Sequence, residues 1–310
     1  MGTRILLSVL LLLALTGRGL AQQVADMEFQ PPVPRPAYAV GTGPRVAIDE
    51  AHQNFHTASG RYRPCAELLR RDGYRVEALR QPFTAETLRG VDVLLIANPL
   101  HERNQQDWSL PTPSAFTPAE IAAVRTWVEQ GGALFLIADH MPFAGAAADL
   151  GKAFGVEFTN GFARPGNSKQ GQTDLFESGT GLREGPVTRG RSDAEKVTTV
   201  ATFTGSAFKP PPHAIPVLVF GDKAVSLNPQ KAWAFTAETP KVPIDGWCQG
   251  AVLRVGQGRV AVFGEAAMFS AQLSGPNKKP TGMNAPVAKQ NPQLLLNVLH
   301  WLSRAPGMPE

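Results

Sequence analysis

Two short apolar runs constrain the fold more than anything else in this chain. Val91–Ala97 reads VDVLLIA and Ala133–Ala138 reads ALFLIA. Neither alternates with polar residues, and both are too short for a buried helix. A strand that is apolar on both sides is one covered on both sides, as in a parallel sheet between helical layers. The segment joining them is helical by its own signals. Thr117-Pro118-Ala119-Glu120 is a capping box with proline at the first helical position. Ile121, Val124 and Val128 then recur at helical spacing, and Gly131-Gly132 stop the helix.

The same alternation extends both ways. Upstream, Arg45–Asp49 is a strand, and Arg61–Asp72 a helix with Tyr62, Cys65, Ala66 and Leu69 on one face. Tyr74–Leu79 is a strand and Thr84–Arg89 a short helix. Downstream, Ala146–Phe154 is a helix closed by Gly155. The order β-α-β-α-β-α-β-α predicts an α/β fold: a parallel sheet with helices on both faces and right-handed crossovers. Ligands in such folds bind outside the carboxyl ends of the strands.

After Gly155 the texture becomes β-rich, a C-terminal elaboration of the same domain. Residues 160–195 form a loop-rich insertion. Val197–Thr204, Ile215–Phe220, Ala232–Phe235, Ala251–Val255 and Arg259–Phe263 are predicted strands, with a Gly256-Gln257-Gly258 turn between the last two. Ser270–Gln290 is long enough to be a lid or binding loop. Asn291-Pro292 begin a closing helix carrying Leu295, Val298, Leu299 and Leu302 on one face. One domain over 45–303 follows, with an extended lead-in at 22–44 and a tail at 304–310.

Residues 1–21 carry a positive start at Arg4, an apolar run from Ile5 to Leu15 and a small-residue exit at Ala21. That is the pattern of a secretory signal peptide, so the mature chain is expected in the periplasm or secreted, with no stable membrane span. Loss of Arg4 and Arg18 with it lowers the formal charge from +4 to +2. So small a charge, with scattered basic residues, argues against nucleic acid as a partner. Cys65 and Cys248 could bridge in an oxidising compartment, although two buried thiols suit their apolar surroundings better.

Chemistry concentrates where the core strands end. Asp49, Glu50, His52, Asn54 and His56 follow the first strand, Asn98 and His101 the third, Asp139 and His140 the fourth, and Glu265 the last. A parallel sheet brings these ends to one edge. Imidazoles with carboxylates can hold a divalent metal, zinc above all, or work without one as general acid and base. In the metal version His52, His56 and His140 are the ligands and Glu265 activates water, with Asp139 and Glu50 as further catalytic carboxylates. Asp49, Asn54, Asn98 and Trp108 are the candidate substrate contacts. Each also has a structural alternative as a turn cap, a strand terminator or a hydrogen-bonded loop residue. No G-x-S-x-G elbow, P-loop or GxGxxG turn is present.

The stretches FTPAEIAAVRTWVEQGGALFLIADH and FGEAAMFSAQ, with the closing KQNPQLLLNVLHWL, resemble the class I glutamine amidotransferase-like superfamily. Within it they are similar to a branch of exported bacterial proteins of no agreed activity. The resemblance spans roughly 45–155 and 250–303 and implies a flavodoxin-like sheet. It does not imply glutaminase activity. The superfamily's nucleophilic cysteine sits in a G-x-C-x-G turn, and the comparable turn here is Ala138-Asp139-His140-Met141-Pro142. Two functional classes stay open: a metal-assisted or acid–base hydrolase of unknown substrate, and a non-catalytic binding or scaffolding domain for a small molecule, an envelope glycan or a protein partner.

Overall fold

The computed structural model describes residues 23–166 and 172–310. The expected signal peptide lies outside the described residues. A nine-stranded mixed sheet organises the molecule. Its strands are β1 (Arg45–Asp49), β2 (Arg75–Leu79), β3 (Val93–Ala97), β4 (Ala133–Ile137), β5 (Glu157–Phe158), β6 (Phe208–Lys209), β7 (Ile215–Val219), β8 (Cys248–Val255) and β9 (Gly258–Phe263). The order is β2-β1-β3-β4-β9-β8-β6-β5, and β7 also pairs with β8. β2, β1, β3, β4 and β9 are mutually parallel, whereas β8 joins β9, β6 and β7 antiparallel. The hairpin from β8 to β9 turns at Gly256-Gln257, with Val255 opposite Gly258.

The period-2 geometry of a strand explains the unbroken apolar runs. Val46, Ile48, Val93, Leu95 and Phe135 enter one core, under α1 (Arg63–Arg71) and α4 (Asn291–Leu302). Their neighbours Ala47, Leu94, Ile96, Leu134 and Leu136 enter the other, under α2 (Pro118–Glu129) and α3 (Phe143–Ala153). Cys65 lies in the first core and Cys248 in the second, so the sheet separates the two thiols, and both are free.

Several segments differ from the sequence expectation. Thr84–Arg89 forms successive turns, not a helix: Leu88 N–H donates to the Thr84 carbonyl, but Arg89 N–H donates to Glu86. Ala232–Phe235 is not a strand; the chain turns there, with Trp233 at φ 67°. The 160–195 stretch contains strands Phe162–Arg164 and Asp174–Glu177 and a short helix Pro186–Arg189. The long loop at 270–290 is largely a hairpin, Ala271–Ser274 with Lys279–Gly282, extended by Gln23–Ala25. Phe162–Arg164 and Asp174–Glu177 pair with chain far away, Val225–Leu227 and Thr199–Thr202, and local residue preference cannot report that. No helix among the described residues is long and apolar enough to cross a membrane.

Candidate functional site

β1 and β3 are neighbours from which the strand order runs in opposite directions, and the residues after both strands meet above them. Asp49 ends β1 fully buried. Its carboxylate accepts from the Ala51 N–H at 3.1 Å, the Asn54 amide at 2.9 Å and His52 Nδ1 at 2.9 Å. On its other side His52 Nε2 meets Glu120 Oε1 at 2.9 Å. Phe83 and Phe116 pack on the imidazole, with ring centroids at 4.5 and 4.6 Å. Burial lowers the His52 pKa, but the bonds and charges of Asp49 and Glu120 outweigh it, and the net direction is up. Burial pushes Glu120 the other way, yet its hydrogen bonds to Thr117 and His52 bring it down to about 2.

This network is complete without a ligand. Both ring nitrogens of His52 are committed to carboxylates, so the metal-ligand role expected for it does not fit. Asn54 is spent inside the loop, holding Asp49 and accepting from the His52 N–H at 3.1 Å. Glu50 accepts from the Ala58 N–H at 2.9 Å and pairs with Arg80 at 3.0 Å. Asp49, Glu50, His52 and Asn54 therefore build the first loop and present no free group from it.

A second cluster is different. Asn98 follows β3 at φ 51°, a left-handed conformation that asparagine tolerates better than most residues. Its Oδ1 accepts from the Asp139 N–H at 2.9 Å, which fixes the amide orientation. Its Nδ2 therefore donates to His56 Nδ1, at 3.3 Å. The neutral imidazole then carries its proton on Nε2, a tautomer assigned from the hydrogen-bond network. That Nε2 is buried and has no partner. Burial, with a smaller push from Arg61, lowers the His56 pKa to about 3.

Asp139 follows β4 and accepts from the His140 N–H at 2.7 Å and the Ala266 N–H at 3.4 Å. Glu265 follows β9, is wholly buried, and accepts from Ala267 N–H at 2.8 Å and Met268 N–H at 2.7 Å. Burial and then the Asp139 carboxylate raise the Glu265 pKa well above the carboxylate range, against the pull of those backbone bonds. Tyr62 closes the group: its hydroxyl donates to the Ala266 carbonyl at 2.9 Å and its ring lies 4.6 Å from that of His56. Gly205, at φ 133°, lets the chain pass against β9; a Cβ there would stand 2.4 Å from the Gly264 carbonyl and 3.1 Å from the Glu265 Cβ.

His140 belongs to an aromatic rim. Its Nδ1 donates to the Met141 carbonyl at 2.6 Å, and its ring stacks on Phe162 at 4.4 Å. Trp233 meets it edge-on at 4.8 Å, and Trp108 stands 6.2 Å away. Trp108 is half-buried against Phe55 and Phe143, whereas Trp233 is 52% exposed. Leu110 N–H donates to the Gln230 carbonyl, and Ala232 N–H to that of Trp108, so the two covering segments are laced together.

The three histidines are thus distributed among three settings, and no group of three or more His, Cys, Asp or Glu among the described residues is arranged to hold a metal ion. His56, Asp139, His140 and Glu265 are each at most 6% exposed. Two surface grooves, of about 620 and 480 Å³, are lined by none of them. Sequence reasoning missed Glu120 as the partner of His52, Tyr62 and Arg61 beside His56, and Trp233 on the rim. The only available signal was for Glu120, whose place in the capping box engages one carboxylate oxygen and leaves the other free.

No family model matches the sequence, and no curated protein matches it. Solved structures do resemble it. The N-terminal domain of mmIFT52 superposes with a TM-score of 0.58 at 17% identity, covering 84% of this chain and 97% of that one. A ThuA-like protein from Bacteroides uniformis gives 0.47 at 15% identity, covering 86% and 93%. The cytoplasmic protein STM3548 from Salmonella typhimurium gives 0.43 at 15% identity, covering 84% and 98%. At these identities the likeness is one of fold alone.

Proposed function

We propose that this chain is an exported hydrolase that works by acid–base chemistry, without a histidine-bound metal, at the carboxyl edge of a flavodoxin-like sheet. The sheet assignment rests on the parallel order β2-β1-β3-β4-β9, which follows the flavodoxin-like 2-1-3-4-5 pattern and puts the switch point between β1 and β3. Export rests on the apolar run after Arg4.

One observation carries the chemistry: the buried Asp139 carboxylate accepts from the N–H of Ala266, next to the buried Glu265, and burial with that neighbouring carboxylate raises the Glu265 pKa well above the carboxylate range. Carboxyl pairs divided in this way supply an acid and a base at the same pH. Asp139 takes a proton from the attacking water as its oxygen bonds to the substrate. Glu265 gives its proton to the leaving group as the scissile bond breaks. The laced segments around Trp108 and Ala232 must part to admit substrate, a gating step common in buried sites. A thiol route is disfavoured, because burial pushes Cys65 and Cys248 up to about 12.

The exposed Trp233 favours a second reading, a non-catalytic domain that docks a glycan ring on the aromatic rim. Bulky residues at positive φ are strained, and such strain gathers at ligand-binding positions. A panel of chromogenic esters, amides and glycosides, offered to the mature protein, separates the two. Turnover that Glu265→Gln and Asp139→Asn abolish, with folding intact, supports the hydrolase. Glycan binding that Trp233→Ala removes, with no turnover of any substrate, supports the binding domain.

A further inference from the structure

Arg61 stands beside this site with no counter-charge. Its guanidinium lies 3.9 Å above the Phe55 ring, and its Nη1 donates to the Phe55 carbonyl at 3.2 Å. Its Nε is buried without a partner. Arg191 meets Glu195 at 2.5 Å and Arg259 meets Glu310 at 2.8 Å, whereas Arg71, like Arg61, has a buried Nε without a partner and bonds a backbone carbonyl, so what sets Arg61 apart is the free His56 donor beside the same Phe55 ring. No carboxylate among the described residues forms an ion pair with Arg61, although the side chain is partly withdrawn from water. A half-buried, unpaired cation is a standing electrostatic cost unless something arrives to match it.

The second unmatched donor is next to it. His56 is 3% exposed, its Nε2–H has no acceptor, and its ring centroid is 5.4 Å from that of Phe55, the ring Arg61 covers. Two N–H donors, one fully charged, flank one aromatic ring and lack acceptors. Donors left this way reject ligands that cannot accept from them and favour an oxyanion that can.

We infer that Arg61 and His56 form an anchor for an anionic oxoacid group of the ligand, a carboxylate or a phosphate. The inference deepens the hydrolase reading by giving its substrate a negative charge, and it rests on that reading for its connection to turnover. Arg61 is the positioning residue, and its partly exposed face is where the anion arrives.

The test is titration of the mature protein with sodium acetate and, separately, inorganic phosphate at fixed ionic strength, with chloride as control. The readouts are the ring resonances of His56 and calorimetry. The anchor predicts saturable one-to-one binding of at least one oxoanion, with movement of the His56 signals. Whichever anion binds identifies the group. Arg61→Gln should weaken binding at least tenfold, and Arg61→Lys should weaken it less, with thermal unfolding confirming that each variant folds. Glu265→Gln should bind the anion undiminished, so loss of turnover in that variant bears on the hydrolase reading alone. No saturable binding of either anion, or equal binding in Arg61→Gln, overturns the anchor.

Discussion

Glu120 reaches His52 from 68 positions downstream and hydrogen-bonds it at 2.9 Å. The same carboxylate accepts from the Thr117 N–H at 2.9 Å as half of the capping box of α2. One side chain therefore joins the start of a helix to the loop after β1. Glu120→Ala removes both, and leaves the buried His52 ring with one of its two carboxylate partners. The expected cost is about 2–4 kcal/mol of folding stability, adding a lost cap to a lost charged hydrogen bond. Glu120→Gln keeps the shape and should cost less. Denaturant unfolding of the two variants measures both values.

His56 gives acid sensitivity with a definite sign. Its pKa is about 3 when folded, against an ordinary 6.5, so the unfolded chain binds the extra proton between those limits. Its neutral form contributes stability that is present above pH 6.5 and lost as pH falls toward 3. His52, with a raised pKa, does the reverse: its contribution is fully present below pH 6.5 and lost as pH rises through the folded value. Glu265 also runs opposite to His56, its contribution declining above pH 4.5. The clean comparison is therefore His56→Phe against the parent protein. Between pH 6.5 and 4.5 the parent should lose stability relative to the variant, read as the difference of their unfolding free energies.

At the other end of the sheet, His300 of α4 bonds Asp72 at 2.6 Å, both fully buried. Asp72 also accepts from the Ala37 N–H at 2.8 Å, tying the lead-in to the domain. Asp72→Ala strands the imidazole in the core. The predicted loss is about 1–3 kcal/mol, the cost of leaving a buried donor without its acceptor. Thermal and denaturant unfolding should agree on it.

How much of this was legible depended on whether the cause was local. The alternation that places β1, β3, β4 and α2 is written in adjacent residues, and so is the Thr117 capping box. The gathering of Asp139, Glu265, His56 and Asn98 followed from the parallel sheet alone. The division among the histidines did not, because it depends on Glu120, Asn98 and Phe162, each far away in the chain. The equal-looking pair His52 and His56 shows the limit. One is held between two carboxylates with its pKa raised, and the other is buried with a free donor and its pKa lowered to about 3. Trp233 was missed for the same reason, since its place on the rim comes from ring contacts with His140 and Phe162, far away in the chain.

The most direct test of the central claim is infrared spectroscopy of the mature protein at neutral pH, beside Glu265→Gln. A proton held on Glu265 predicts a protonated-carboxyl stretching band in the parent protein that the variant lacks. A spectrum with ionised carboxylates alone, unchanged by the substitution, would contradict the acid–base pair and remove the basis for the hydrolase.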